Sequence, residues 1–204
     1  LNLDKGFSGS LDLSGYSVEM DPKRGPVFGP AGSAAAVPSD EWDNVGDGSG
    51  ALKGIVYAIA VSGTDVYVGG SFENADNLPA ADYIAKWNGV NWSALNADSL
   101  GNGSLKNTVY ALAVSGTDLY AGGQFSDVWN GGGSLDAADY IAKWDGTNWS
   151  ALGGNGAGGG SINSFVYAIA VNGTDVYAGG AFTDVNNNGT VLTAADRIAK
   201  WDGT

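Results

Sequence analysis

Larger and smaller apolar side chains alternate along Val56-Tyr57-Ala58-Ile59-Ala60-Val61, and the pattern returns at Val109 and at Val166. β-branched residues are prominent in it, which favours a strand over a helix. Each copy runs into a hairpin loop, Ser62-Gly63-Thr64-Asp65 in the first, and then into a second strand, Val66-Tyr67-Val68-Gly69-Gly70. After a variable gap comes a third strand, Tyr83-Ile84-Ala85-Lys86-Trp87. It turns at Asn88-Gly89, or at Asp145-Gly146 in the next copy, dipeptides that accept positive φ in tight hairpins. A fourth strand follows, Trp92-Ser93-Ala94-Leu95 and again Trp149-Ser150-Ala151-Leu152. A unit recurring every roughly 55 residues marks a repeat architecture. Four short antiparallel strands per unit predict an all-β fold of propeller-type blades, three of them, over residues 41–204.

Within such blades the first strand lies innermost. Its alanines (Ala58, Ala60, Ala111, Ala113, Ala168, Ala170) then suit crowding near an axis, while Tyr57, Phe72, Trp87, Trp92 and their copies are expected to fill the wider space between blade faces. Residues 1–40 fall outside the repeat and hold four of the five prolines. There the pattern predicts an arm: a hairpin of Gly9–Leu13 with Tyr16–Met20 about Ser14-Gly15, then an extended connector from Pro26 to Pro38.

Glu41-Trp42-Asp43-Asn44-Val45-Gly46 aligns with the fourth-strand stretch Asn148–Gly153, so the array starts with an orphan fourth strand and stops at Trp201-Asp202-Gly203-Thr204. Three blades are too few to close, because propellers carry four to eight. Their faces would diverge by about 120° instead of lying near 10 Å apart. Two chains exchanging fourth strands would make a six-bladed ring, and donation to the next chain in line would make a filament. A third alternative is a piece of a longer propeller. The residues expected at the junction are Trp42, Val45, Ile198 and Trp201.

Composition narrows the partners. The formal net charge is −13 and only nine Lys and Arg are present, spread singly apart from Lys23-Arg24, which argues against nucleic acid and anionic membranes. No apolar run is long enough to span a membrane. The chain opens on Leu1, which suggests a processed or trimmed form. The 34 glycines cluster at turns and in Gly-Gly pairs, as many short strands require. Cysteine is absent, so no disulfide framework exists, and histidine, the commonest general base and metal ligand, is absent too.

The spaced motifs Val176-Tyr177-Ala178-Gly179-Gly180-Ala181-Phe182 and Arg197-Ile198-Ala199-Lys200-Trp201-Asp202-Gly203, with Trp149-Ser150-Ala151-Leu152-Gly153, carry a family likeness. The segment 41–204 resembles the repeats of about sixty residues found in bacterial surface and secreted proteins. It is also similar to repeats of fungal cortical polarity-marker proteins. The resemblance implies a β-propeller on a cell surface or outside the cell, and it brings no catalytic residues with it.

Lys86, Lys143 and Lys200 recur once per repeat, as do Asp65, Asp118 and Asp175, and Asp82, Asp139 and Asp196, which points to scaffold work such as fixing turns. Glu19, Glu41 and Glu73 are the only glutamates and form no recognisable pair for glycoside hydrolysis. Asp184-Val185-Asn186-Asn187-Asn188-Gly189 matches the first half of a calcium loop, with Asp184, Asn186 and Asn188 as oxygen donors. Ala195 stands where the closing Glu belongs, so an Asn-rich turn is the other reading. Glycosylation acceptors occur at Asn91, Asn102, Asn148, Asn172 and Asn188. The expectation is a non-enzymatic, extracellular structural protein that assembles with itself by strand complementation. The alternative is a lectin-like module binding carbohydrate or a surface protein through the loops at 73–79, 127–136 and 184–193, with Trp129 as its stacking platform.

Overall fold

The computed structural model describes residues 16–21, 25–30, 44–45 and 52–203, and the chain divides into two compact units, Leu1–Asp43 and Asn44–Thr204. The first unit contains an antiparallel hairpin, Tyr16–Asp21 with Gly25–Pro30, in which Tyr16 faces Pro30 and Asp21 faces Gly25. Tyr16–Met20 thus pairs forward into part of the segment expected to be a connector; its expected partner Gly9–Leu13 lies outside the described residues. Pro26 and Pro30 have the same parity along their strand, so their missing N–H groups fall on one side. A strand with one free edge tolerates that arrangement.

The second unit is all-β and made of small antiparallel sheets, with a 3-10 turn at Ala75–Asn77. The first sheet takes Val56–Ser62, Asp65–Gly70, Ile84–Trp87 and Trp92–Ser93 in sequence order. The second repeats this order with Val109–Ser115, Asp118–Gly123, Ile141–Trp144 and Trp149–Ala151. The third has three strands, Val166–Asn172, Asp175–Gly180 and Ile198–Trp201. Two short hairpins, Val128–Trp129 with Ser134–Leu135 and Val185–Asn187 with Thr190–Leu192, fill the gaps before the third strands of the second and third sheets.

Local chemistry explains the turns. Gly63, Gly116 and Gly173 take φ of 60°, 60° and 63° at the first loop position, the place of glycine in a II′ hairpin. At the second hairpin Asn88 Oδ1 accepts the N–H groups of Val90 and Asn91, and Asp145 Oδ1 those of Thr147 and Asn148. The backbone bonds from Asn148 and Thr147 hold the Asp145 carboxyl below its ordinary range. Asp82, Asp139 and Asp196 each accept the N–H of a residue in left-handed conformation, Asn74, Asp127 and Asp184. Asp65, Asp118 and Asp175 pair instead with Lys86, Lys143 and Lys200 at 3.2, 3.3 and 3.1 Å, one bridge per sheet.

Phe72, Phe125 and Phe182 are wholly buried, and Trp92 and Trp149 are buried as well. Tyr57 and its copies depart from the expectation that they fill the space between sheets. Each sits at a β-bulge, between Val56 and Ala58, Val109 and Ala111, and Val166 and Ala168. A bulge inserts an extra residue and re-aims its side chain. The tyrosines therefore line up as a ladder across the first strands, Tyr57 to Tyr110 at 5.4 Å and Tyr110 to Tyr167 at 5.3 Å between ring centroids.

Successive sheets meet through glycine. A Cβ placed on Gly122 would stand 2.6 Å from Val166 Cγ1 and 2.9 Å from Ile169 Cδ1. Gly122→Ala is therefore expected to destabilise the protein by roughly 1–3 kcal/mol through overpacking. Urea denaturation of the purified variant checks it, as a lower midpoint with an unchanged slope.

Candidate assembly interface

The same contacts occur at both internal junctions. Val109 and Leu112, on the first strand of the second sheet, lie over Gly69 of the first sheet, as Val166 and Ile169 lie over Gly122. Ile84 and Ile141 face these glycines across the neighbouring strand and are buried by the packing. Ser62 Oγ donates to the Gly116 carbonyl, and Ser115 Oγ to that of Gly173, both at 3.4 Å. At the periphery Trp149 Nε1 donates to the Leu95 carbonyl at 2.8 Å, tying the fourth strand of the second sheet to the end of the fourth strand of the first.

The two ends of the array carry the halves of this junction without their counterparts. Val56 and Ile59 occupy the positions of Val109 and Leu112; both are exposed, Ile59 by 63%, and Val61 beside them is exposed too. Gly179 occupies the position of Gly69 and Gly122, yet nothing comes nearer than 3.8 Å to a Cβ built on it. Ile198, which faces Gly179, is 65% exposed, whereas Ile84 and Ile141 are exposed by only 2% and 4%. Asn172 stands where Ser62 and Ser115 make their bonds, and the tyrosine ladder ends on the exposed Tyr57 and Tyr167. One end is thus a set of apolar knobs and the other the matching slot.

Of the residues expected at the junction, Ile198 and Trp201 lie on the edge strand of the third sheet, and Val45 is exposed. Trp42 is outside the described residues. Val56, Ile59 and Gly179 escaped the sequence reading. Their signal was present in the repeat alignment, but which copy is covered depends on position in the array, not on residue type.

The other candidates fall elsewhere. Trp129 is half-buried in a short strand, its backbone N–H bonded to the Ser104 carbonyl at 2.9 Å. Asn186 and Asn188 belong to the Val185–Leu192 hairpin, which Asp184 precedes, and Asn186 Oδ1 accepts the Gly189 N–H at 2.8 Å. Among the described residues no group of three or more His, Cys, Asp or Glu is placed to hold a metal ion. Asn91, Asn102, Asn148, Asn172 and Asn188 are all exposed. Among the described residues no helix is long and apolar enough to cross a membrane.

No family model matches the sequence, and comparison with curated proteins finds no match. Two computationally designed proteins of known structure are similar to it in part. The Ika8 protein shares 18% identity at a TM-score of 0.36, over 73% of this chain and 37% of its own. The Ika4 protein shares 18% identity at a TM-score of 0.36, over 69% of this chain and 71% of its own.

Electrostatics at the open edge give a pH dependence. The bond to Asp175 raises the Lys200 ammonium above its ordinary 10.5. A raised folded value contributes stability that is complete below the unfolded value and disappears as pH climbs through the folded one. Melting temperature should then fall on the alkaline side above about pH 10.5, and Lys200→Met should show a shallower fall there when the two profiles are overlaid.

Proposed function

We propose that this chain is a non-enzymatic, extracellular structural protein whose propeller-type blades assemble head to tail with copies of itself. The single observation that carries the reading is the pairing of exposed ends: Val56 and Ile59 at one end, Gly179 and Ile198 at the other, each the counterpart of a buried contact repeated twice inside the chain. Burying each large aliphatic side chain is favourable by about 1.5–3 kcal/mol, so an end left in water forgoes a junction's worth of stability. Because knob and slot differ, the contact is heterologous and propagates. If the rotation per blade closes, three blades per chain give a ring of six from two chains, the one multiple of three within the usual four to eight. If it does not close, the same contact builds a filament. The extracellular setting rests on the resemblance to surface and secreted repeats, and the structural role on the scaffold use of every residue type copied in each repeat.

Light scattering coupled to size exclusion tests this. Wild type is expected at or above twice the 20.6 kDa of the chain, and a monomer at all concentrations sinks the reading. Ile59→Glu and Ile198→Glu should each remain folded and monomeric alone. Mixed together they should form a two-chain species and stop, because one intact knob then meets one intact slot. Since each chain carries a net −13, raising salt to about 0.5 M should tighten association by screening repulsion.

A further inference from the structure

In the second sheet Trp149 is buried among Leu95, Leu105, Leu119 and Ala142 and packs on Trp144 with ring centroids 5.3 Å apart. Its backbone N–H donates to Asn130 Oδ1 at 3.0 Å and its indole N–H to the Leu95 carbonyl. One repeat later the same surroundings return as Leu152, Ile162, Val176, Ala199, Trp201 and Asn187, and there they line a cavity of about 200 Å³. The third sheet supplies Trp201, the counterpart of Trp144, but no counterpart of Trp149, since among the described residues it has three strands and no fourth.

A second observation comes from the opposite end. Trp92 is the Trp149 of the first sheet and is 5% exposed, yet its Nε1 has no hydrogen-bond partner among the described residues. The acceptor that Trp149 uses is the carbonyl three residues past the tryptophan of the preceding fourth strand. Before the first sheet, the residue in that position is Val45, three residues past Trp42. A buried indole N–H left unpaired is destabilising, and a fourth strand laid over the preceding sheet would supply its acceptor.

Resting on the self-assembly reading above, we infer that this cavity is a binding site for an extended strand bearing a tryptophan, and that its occupant is Glu41–Val45 of a second copy. Trp42 stands opposite Trp201 in the register that Trp149 holds with Trp144. Its indole N–H meets the Leu152 carbonyl and its backbone N–H meets Asn187. In the donor chain Val45 is thereby brought onto Trp92. Order along the chain selects a second copy: Trp92-Ser93 precedes the first strand of the next sheet, so the strand before Val56 belongs to the sheet that comes before the first one.

The test uses the full chain, Trp42→Ala, and a labelled peptide of residues 40–46. Trp42→Ala is expected to lose association, to keep its fold by circular dichroism, and to bind the peptide saturably in fluorescence anisotropy. A peptide with alanine for tryptophan should bind at least about thirty-fold more weakly, the scale of an interface anchor. Ala199→Phe, which narrows the cavity, should weaken peptide binding in the Trp42→Ala background while the melting curve stays cooperative. Association of Trp42→Ala equal to wild type, or peptide binding indifferent to tryptophan, overturns the proposal. So does a monomeric wild type whose melting temperature drops on Trp42→Ala, which would place the strand in its own chain's cavity. Loss of association in Ile59→Glu with none in Trp42→Ala leaves self-assembly standing and rejects the site. Tryptophan-dependent peptide binding by Trp42→Ala, beside a monomeric wild type that Trp42→Ala does not destabilise, supports the site and rejects self-assembly.

Discussion

The fold depends on one contact, a branched side chain of one sheet seated on a glycine of the sheet before it. Gly69 receives Val109, Gly122 receives Val166, and in both cases any side chain at the glycine would occupy the space the valine needs. Sheets this small cannot bury both faces alone. Their stability is therefore close to a sum of unit terms and nearest-neighbour junction terms, as in other repeat proteins. The second sheet has two such junctions and the outer sheets one each. Burial follows: the Ile141 position is covered, and Ile198 is not.

Polar chemistry serves the same scaffold. The Lys–Asp bridge recurs in every sheet at nearly one distance, and half-exposed pairs of this kind each contribute little by themselves. Their constancy marks register: the lysine of the third strand reaches back to the aspartate that opens the second. The acids before the third strands each hold a residue at positive φ, so charge is spent on backbone geometry and not gathered into a site. An acidic surface with neither histidine nor cysteine matches that use.

Much of this was legible in the residues. Strand order and hairpin loops follow from period-2 alternation and from Gly and Asn at turns, which are local signals. Tyr57 was misplaced because alternation assumes an unbroken pleat, and a bulge of one residue sends the side chain to the other side. The strand at Gly25–Pro30 was read as connector because of its two prolines, whereas prolines of equal parity still allow a strand with a free edge. The interface residues were hidden for a different reason. Val56 and Val109 are the same residue in the same motif, and only the count of sheets on either side makes one a core residue and the other a surface one.

In the proposed assembly the two contacts at the ends, knob into slot and tryptophan into cavity, are bound together by the chain itself. Val45 and Val56 are close in sequence, so a strand held on the preceding sheet delivers the first sheet's knobs to the adjoining slot. The second contact then forms at high effective concentration, and the loss of translational freedom is incurred once for both. A bare apolar face would accept many surfaces, and a bare strand edge many strands. Requiring an indole at one depth, an aliphatic pair at another and a connection of fixed length between them leaves few partners that satisfy all three. In the proposed assembly the partner that does is the repeat itself.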